Sequence, residues 1–132
     1  MLKRDEGFRS KPYLDTVGKL TIGWGRNIED NGISREEAEL MLGNDITEVI
    51  KQCTEEFEWY ARLNEARKIV ILNMVFNLGI GNFKKFKKTI AYIECENYEQ
   101  AAIEMLDSLW SKQVGSRAVR LSKIMQQGSQ NK

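Results

Sequence analysis

Breaking a glycosidic bond takes an acid that protonates the leaving oxygen and a second group that stabilises or supplies the attack on the sugar carbon. Glu6, Asp15 and Thr21 are residues of suitable types, close together near the N-terminus. Glu6 stands at the end of a short helix expected over 2–6 and stopped by Gly7. The helix dipole disfavours a negative charge at that end, which suits an acid. Each residue alone has a plainer meaning. Many surface glutamates end helices, Asp15 reads as a turn residue capping the amides of Asp15-Thr16-Val17-Gly18, and Thr21 is a good strand residue. Gly23 and Gly25 could mark a twisted edge. Together they describe a cleft, in which a hydroxyl and a carboxylate flank one hairpin beside a strand face left bare by the two glycines.

Positioning these groups falls to two expected strands, 11–14 and 19–24. In the second, Leu20, Ile22 and Trp24 share a face able to pack, while Thr21, Gly23 and Gly25 share the other. After Asn31-Gly32 the pattern turns helical. Ser34-Arg35-Glu36-Glu37 forms a capping box and opens a helix over about 34–52. Ala38, Met41, Leu42, Ile46, Val49 and Ile50 make its apolar stripe, with Asp45 inside it. Asn64 is expected to cap a central buried helix, apolar almost all round from 69 to 78 and ended by Gly79 and Gly81. Further helices are expected over about 84–94, 97–110 (capped by Asn97) and 116–126, with a tail at 128–132 that frays. The fold class is α+β and mostly helical, in one domain over 1–132. A small N-terminal lobe with a β-hairpin, about 8–33, is joined by the helix over about 34–52 to a larger helical lobe, about 53–127, which also takes the N-terminal helix 1–7.

Composition narrows the function. The apolar fraction of 42% and charged fraction of 30% are ordinary for a soluble globular chain. No apolar run is long enough for a membrane span, and no signal peptide follows the basic start. The net charge of +1 conceals blocks. Residues 28–65 hold 11 acidic and 3 basic side chains, 66–93 hold six basic and no acidic ones, and 111–132 carry +5. Such blocks usually solvate a face, and the functional alternative is attraction to a polyanion. With no histidine in the chain, His-based triads and most zinc or haem sites are excluded. No cofactor or metal is expected. Cys53 and Cys95 fit neither a disulfide scaffold nor a metal motif and are expected to be buried, reduced thiols.

Glu6-Gly7-Phe8-Arg9, then Tyr13 and Asp15, then Gly18 and Thr21-Ile22-Gly23-Trp24-Gly25 resemble the active-site signature of the phage-type lysozymes (endolysins of glycoside hydrolase family 24), represented by the lysozyme of the T-even phages. Ser34 to Val49 resembles their inter-lobe helix, Asn73-Met74-Val75-Phe76 their central helix, and Ala101-Ala102 through Trp110 to Arg117 and Arg120 their C-terminal region. The resemblance implies hydrolysis of the β-1,4 bond between N-acetylmuramic acid and N-acetylglucosamine in peptidoglycan, leading to cell lysis. Glu6 would be the general acid, while Asp15 and Thr21 hold the attacking water on the opposite sugar face, with inversion. Gly23, Gly25, Phe76 and Thr89 would bind substrate. Arg117 and Arg120 match arginines that reach the N-terminal helix, with pairs expected to Glu6 and Asp5. Synthesis in the host cytoplasm, release through a separate pore and action on the wall as a monomer are implied too.

The segment from Gly25 to Ser34 is much shorter than in the T-even phage enzyme, and Arg26 replaces a common histidine. Arg26 is expected to pair with Asp45, which would explain the acid inside an apolar stripe. Two rivals stand beside the hydrolase. A lytic transglycosylase would cut the same bond with one acid and no use for Asp15 or Thr21. A non-catalytic wall- or membrane-binding protein would act through the basic blocks. A nucleic-acid partner is disfavoured by the near-neutral charge and the lack of a stacking platform beyond Phe83 and Phe86. No stable membrane insertion is expected.

Overall fold

The computed structural model describes residues 1–130; of the tail expected to fray, Asn131 and Lys132 lie outside the described residues. The fold is α+β and mostly helical, with one small antiparallel sheet near the N-terminus. Two compact units divide the chain, Met1–Leu42 and the remainder from Gly43 onward, and the boundary falls inside one helix.

In the first unit, α1 (Leu2–Glu6) ends at Gly7, whose φ of 70° is easy only for glycine. Strands β1 (Arg9–Leu14), β2 (Leu20–Gly23) and β3 (Arg26–Asn27) form a sheet in that order. Tyr13 lies opposite Thr21 and Leu14 opposite Leu20. The β1–β2 register shifts between Arg9 and Tyr13, a stretch that holds Pro12, whose ring nitrogen cannot donate to a ladder. The third strand goes beyond the expected hairpin; at two residues it is too short for alternation to reveal it. The one-turn α2 (Ile28–Asn31) follows, with the Asn27 side chain accepting from the Asp30 amide at 3.0 Å. The capping box forms as read: Ser34 N–H donates to Glu37 Oε1 at 2.8 Å and Glu37 N–H to Ser34 Oγ at 3.1 Å. It opens α3 (Arg35–Glu56).

Two expectations about packing are corrected. The bulky face of β2 is only partly covered, with Leu20 exposed and Trp24 at 49% exposure. The side chain that is buried instead is Thr21, at 3%. The apolar stripe of α3 is also largely uncovered. Met41, Leu42, Ile46 and Ile50 remain exposed, and Cys53 is the helix's only buried residue. A periodic stripe specifies a face, whereas burial requires a partner over the whole length of that face.

In the second unit, a 3-10 turn (Glu58–Arg62) leads to α4 (Glu65–Leu78), α5 (Ile80–Phe83), α6 (Lys87–Glu94), α7 (Tyr98–Leu106), α8 (Leu109–Val114) and α9 (Ser116–Gln127). Asn64 caps α4 by accepting from the Arg67 amide at 2.9 Å. Gly79, at φ 84°, ends α4, while Gly81 lies inside α5 rather than ending anything. The single helix expected over 97–110 is two. Ser108 breaks it, because its hydroxyl donates to the Met105 carbonyl at 2.7 Å and accepts from the Ser111 amide at 3.2 Å, capping α8. Val70, Ile71, Met74 and Val75 of α4 are buried in one core with Phe83, Ile93, Met105, Trp110, Leu121 and Met125. Arg67 fastens α9 to the start of α4. Its Nε donates to the Met125 carbonyl at 2.7 Å, and its guanidinium lies 3.7 Å from the Tyr98 ring centre. Cys53 is buried as expected, and burial pushes its thiol up to about 11. Cys95 is exposed instead, because it caps the C-terminal end of α6, outside the core.

Candidate active site

Asp15 closes the β1–β2 turn. Its Oδ1 accepts from the Val17 amide at 3.0 Å and the Lys19 amide at 2.8 Å. This is the turn-capping role available to any aspartate there, and it leaves Oδ2 uncommitted. The Lys19 carbonyl then ties two expected site residues together. It accepts from the Asp15 N–H at 2.9 Å and from the Thr21 hydroxyl at 2.9 Å. With its proton committed to Lys19, the Thr21 oxygen retains lone pairs that can only accept. Lys19 is held in turn, since its ammonium lies 3.8 Å from Glu29 and 3.3 Å from Asp30. Glu29 also accepts from the Leu20 amide at 3.0 Å.

Glu6 is the last residue of α1, and its side chain lies over Gly25. A Cβ at Gly25 would stand 2.9 Å from the Glu6 carboxyl carbon and closer still to Oε1. Gly25, at φ +75°, thus provides both the backbone bend and the space. The bare face expected at Gly25 is therefore covered by Glu6, whereas the corresponding side of Gly23 is open to 4 Å. Trp24 holds α1 in place. The Phe8 ring lies 5.0 Å from it and the Lys3 ammonium 4.9 Å from its centre.

Arg26 does not pair with Asp45. Its guanidinium donates to Glu37 Oε1 at 2.9 Å and to the Gly32 carbonyl at 3.0 Å, with a second contact to Glu37 Oε2. Arg26, with the Ser34 amide, holds the Glu37 carboxyl down at about 2, and the pairing raises Arg26. Asp45 is exposed and in no ion pair among the described residues. The physical reason is distance along the helix. Glu37 is fixed at the mouth of α3 by the capping box, and Asp45 lies about 12 Å further along at 1.5 Å per residue.

The other expected residues belong to the second unit. Phe76 is 48% exposed on α4, and Arg117 and Arg120 are exposed on α9. Thr89, read from sequence as a polar position on a basic helix, is 98% buried and lines an open depression of about 650 Å3. Phe76 is not among that depression's lining residues.

A sequence profile for the family described as phage lysozyme matches residues 3–126. The chain belongs to the phage lysozyme family. A probable T4-type lysozyme of Dictyostelium discoideum is 30% identical over 98% of this chain and 93% of its own length. The pre-baseplate central spike protein of Enterobacteria phage T4 is 30% identical over 98% of this chain and 27% of its own length. An endolysin of Acyrthosiphon pisum secondary endosymbiont phage 1 is 30% identical over 85% of this chain and 75% of its own length. As a member of this family the chain is a lysozyme-type hydrolase, for which peptidoglycan in the cell wall is the substrate class. No helix among the described residues is long and apolar enough to cross a membrane. Sequence reasoning missed the Lys19 carbonyl, the anchoring role of Trp24 and the Glu37 partner. The alternation that put Trp24 on a packing face was a signal for the second. The capping box was a signal for the third, since it fixes where the Glu37 carboxylate must point.

Proposed function

We propose that this protein hydrolyses the β-1,4 bond between N-acetylmuramic acid and N-acetylglucosamine with inversion. The observation that carries the reading is the Lys19 carbonyl, bonded by both the Asp15 amide and the Thr21 hydroxyl. A water resting there finds two acceptors, the free Oδ2 of Asp15 and the Thr21 oxygen. Both of its protons are then occupied, and an oxygen lone pair is directed outward to attack the anomeric carbon. Asp15 takes one proton as the C–O bond forms, and Glu6 gives its own to the departing sugar oxygen, so charge balances across the step.

The open side of Gly23 suits a sugar ring lying against backbone. Phe76 and Thr89 extend the contacts to substrate, and Arg117, Arg120 and Arg26 are supporting positions, with Arg26 acting through Glu37. The transglycosylase alternative gives no role to the coupling of Asp15 with Thr21. Endolysin relatives support a biological role in wall lysis, and we propose with it a monomer made in the host cytoplasm and released through a separate pore.

Digestion of purified peptidoglycan with product analysis by mass spectrometry and NMR tests the reading. Reducing muramic ends of inverted configuration are expected, and Glu6→Gln should lower the rate on the order of a thousandfold. Anhydro-muramic ends, or undiminished lysis by Glu6→Gln, would overturn it. Asp15→Asn and Thr21→Ala should slow turnover without changing the product.

A further inference from the structure

The peptide that joins Lys19 to Leu20 is bonded through both of its polar groups. Its carbonyl accepts from the Asp15 amide and the Thr21 hydroxyl, each at 2.9 Å. Its N–H, on Leu20, donates to Glu29 Oε1 at 3.0 Å. A carboxylate that accepts from an amide leaves more negative charge on the carbonyl at the other end of the same peptide, which strengthens the bonds arriving there. Because the peptide is planar and stiff, a group that fixes its N–H also fixes the direction of its C=O. Glu29 is thus one peptide plane away from both residues that hold the attacking water.

The segment that carries Glu29 is fastened at each end. Asn27 stands opposite Thr21 in the β2–β3 register, and its side chain caps α2 by accepting from the Asp30 amide at 3.0 Å. Asn27 Nδ2 also donates to Asp30 Oδ2 at 3.1 Å. At the far end the Gly32 carbonyl accepts from Arg26 at 3.0 Å, and Arg26 is bound in turn to Glu37 of the capping box. One helical turn therefore spans from the sheet to the start of α3 and presents a carboxylate to the Leu20 amide.

Folding stability is a weak reason for this arrangement. The Lys19 and Glu29 side chains are 39% and 47% exposed and 3.8 Å apart, a pair that adds little to stability. The Lys19 ammonium lies closer to Asp30, at 3.3 Å, and keeps that partner without Glu29. What Glu29 supplies beyond the pair is an acceptor for the Leu20 amide.

We infer that Glu29 is a positioning residue for the hydrolysis, acting through the Lys19–Leu20 peptide to hold Asp15 and Thr21 in place around the water. The inference rests on the muramidase reading above and assigns a residue that acts only through that peptide. Without Glu29 the peptide is free to tilt, the Thr21 proton loses its fixed direction, and the Thr21 oxygen moves away from the water. Displacements of roughly 1 Å suffice to slow such a step.

The test compares Glu29→Ala and Glu29→Gln with the parent, by turnover on solubilised peptidoglycan and by amide NMR. Glu29→Ala should lower kcat about tenfold and leave KM within about twofold. Glu29→Gln keeps a neutral acceptor for the Leu20 amide and should lose only about twofold in kcat. The Leu20 amide resonance should move upfield in Glu29→Ala, with the Asp15 and Thr21 amides shifting alongside, while the melting temperature falls by a few degrees at most. Glu39→Ala, at an exposed position of α3, should match the parent. A parent-like kcat in Glu29→Ala, an equal loss in both Glu29 variants, a change in KM alone, or a loss of turnover that merely follows unfolding would overturn the inference. Each of those results leaves the parent's reducing muramic ends, and so the muramidase reading, standing. A parent that releases no such ends overturns that reading and this inference with it.

Discussion

The two units are stabilised in opposite ways. Among residues 1–42 the one buried side chain is a threonine, whereas every buried apolar residue belongs to the unit that begins at Gly43. The first unit keeps its shape through directional bonds. These are the Asp15 turn cap, the Lys19 carbonyl, the reciprocal Ser34–Glu37 cap and the Arg26–Glu37 pair. The second relies on area removed from water, centred on Phe83, Met74 and Met105. The difference separates roles. Hydrogen bonds fix atoms at defined distances, as a proton-transfer site needs, whereas apolar burial supplies bulk stability with little control of individual atoms.

The sharpest way to break this division is Phe83→Ala. Phe83 is fully buried against Phe57 and Phe86, so its truncation should cost about 3–5 kcal/mol. Urea denaturation should show that loss, while turnover per folded molecule stays near the parent value. Gly25→Ala should do the reverse. An alanine there adopts a strained backbone and collides with the Glu6 carboxyl, at about 1–2 kcal/mol of strain. The wall-lysis rate should fall by roughly tenfold or more as the acid is displaced, with only a modest change in melting temperature.

A smaller effect should appear with acid. The Glu37 carboxyl is held at about 2 in the folded chain against an ordinary value of 4.5. Its contribution is therefore fully present above about 4.5 and is lost as pH falls towards 2. Glu37→Gln should flatten the acid limb of a stability–pH profile monitored by tryptophan fluorescence. The smallest effect concerns thiols. A thiol reagent at neutral pH should label Cys95 at once and Cys53 only on unfolding, and alkylated Cys95 should leave activity unchanged.

Much of this was legible in the sequence wherever the cause was local. Asn64, Asn97 and the Ser34–Glu37 box specify their helix starts through bonds to amides three residues away, Gly7 ends α1 by donating its N–H to the Lys3 carbonyl, and the structure forms each of them. Asp15 and Thr21 were recognisable by type and spacing, and the turn between them is again local. What escaped depends mostly on packing partners, with Ser108 a local exception. Ser108 could have continued a helix on propensity, and its hydrogen bonds to Met105 and Ser111 break it. Thr89 looked like an exposed polar position because burial is decided by what packs over α6, not by α6 itself. The stripe on α3 was visible, but whether anything covers it was not. Arg26 could have met either of two acids; a cap geometry one turn into the helix chose between them.

The Arg67 clamp bears on the order in which the chain acquires its structure. The carbonyl that Arg67 Nε meets lies 58 residues downstream, and the one that Asn64 meets lies 64 downstream. During synthesis the sheet and its caps, all closed over short separations, can assemble as soon as they emerge. The helical core must wait with its first turn unfastened until Met125 and Gly128 are made. A truncation of a few residues after Ile124 should therefore do more harm to the lifetime of the folded chain than its distance from Glu6 in sequence would suggest.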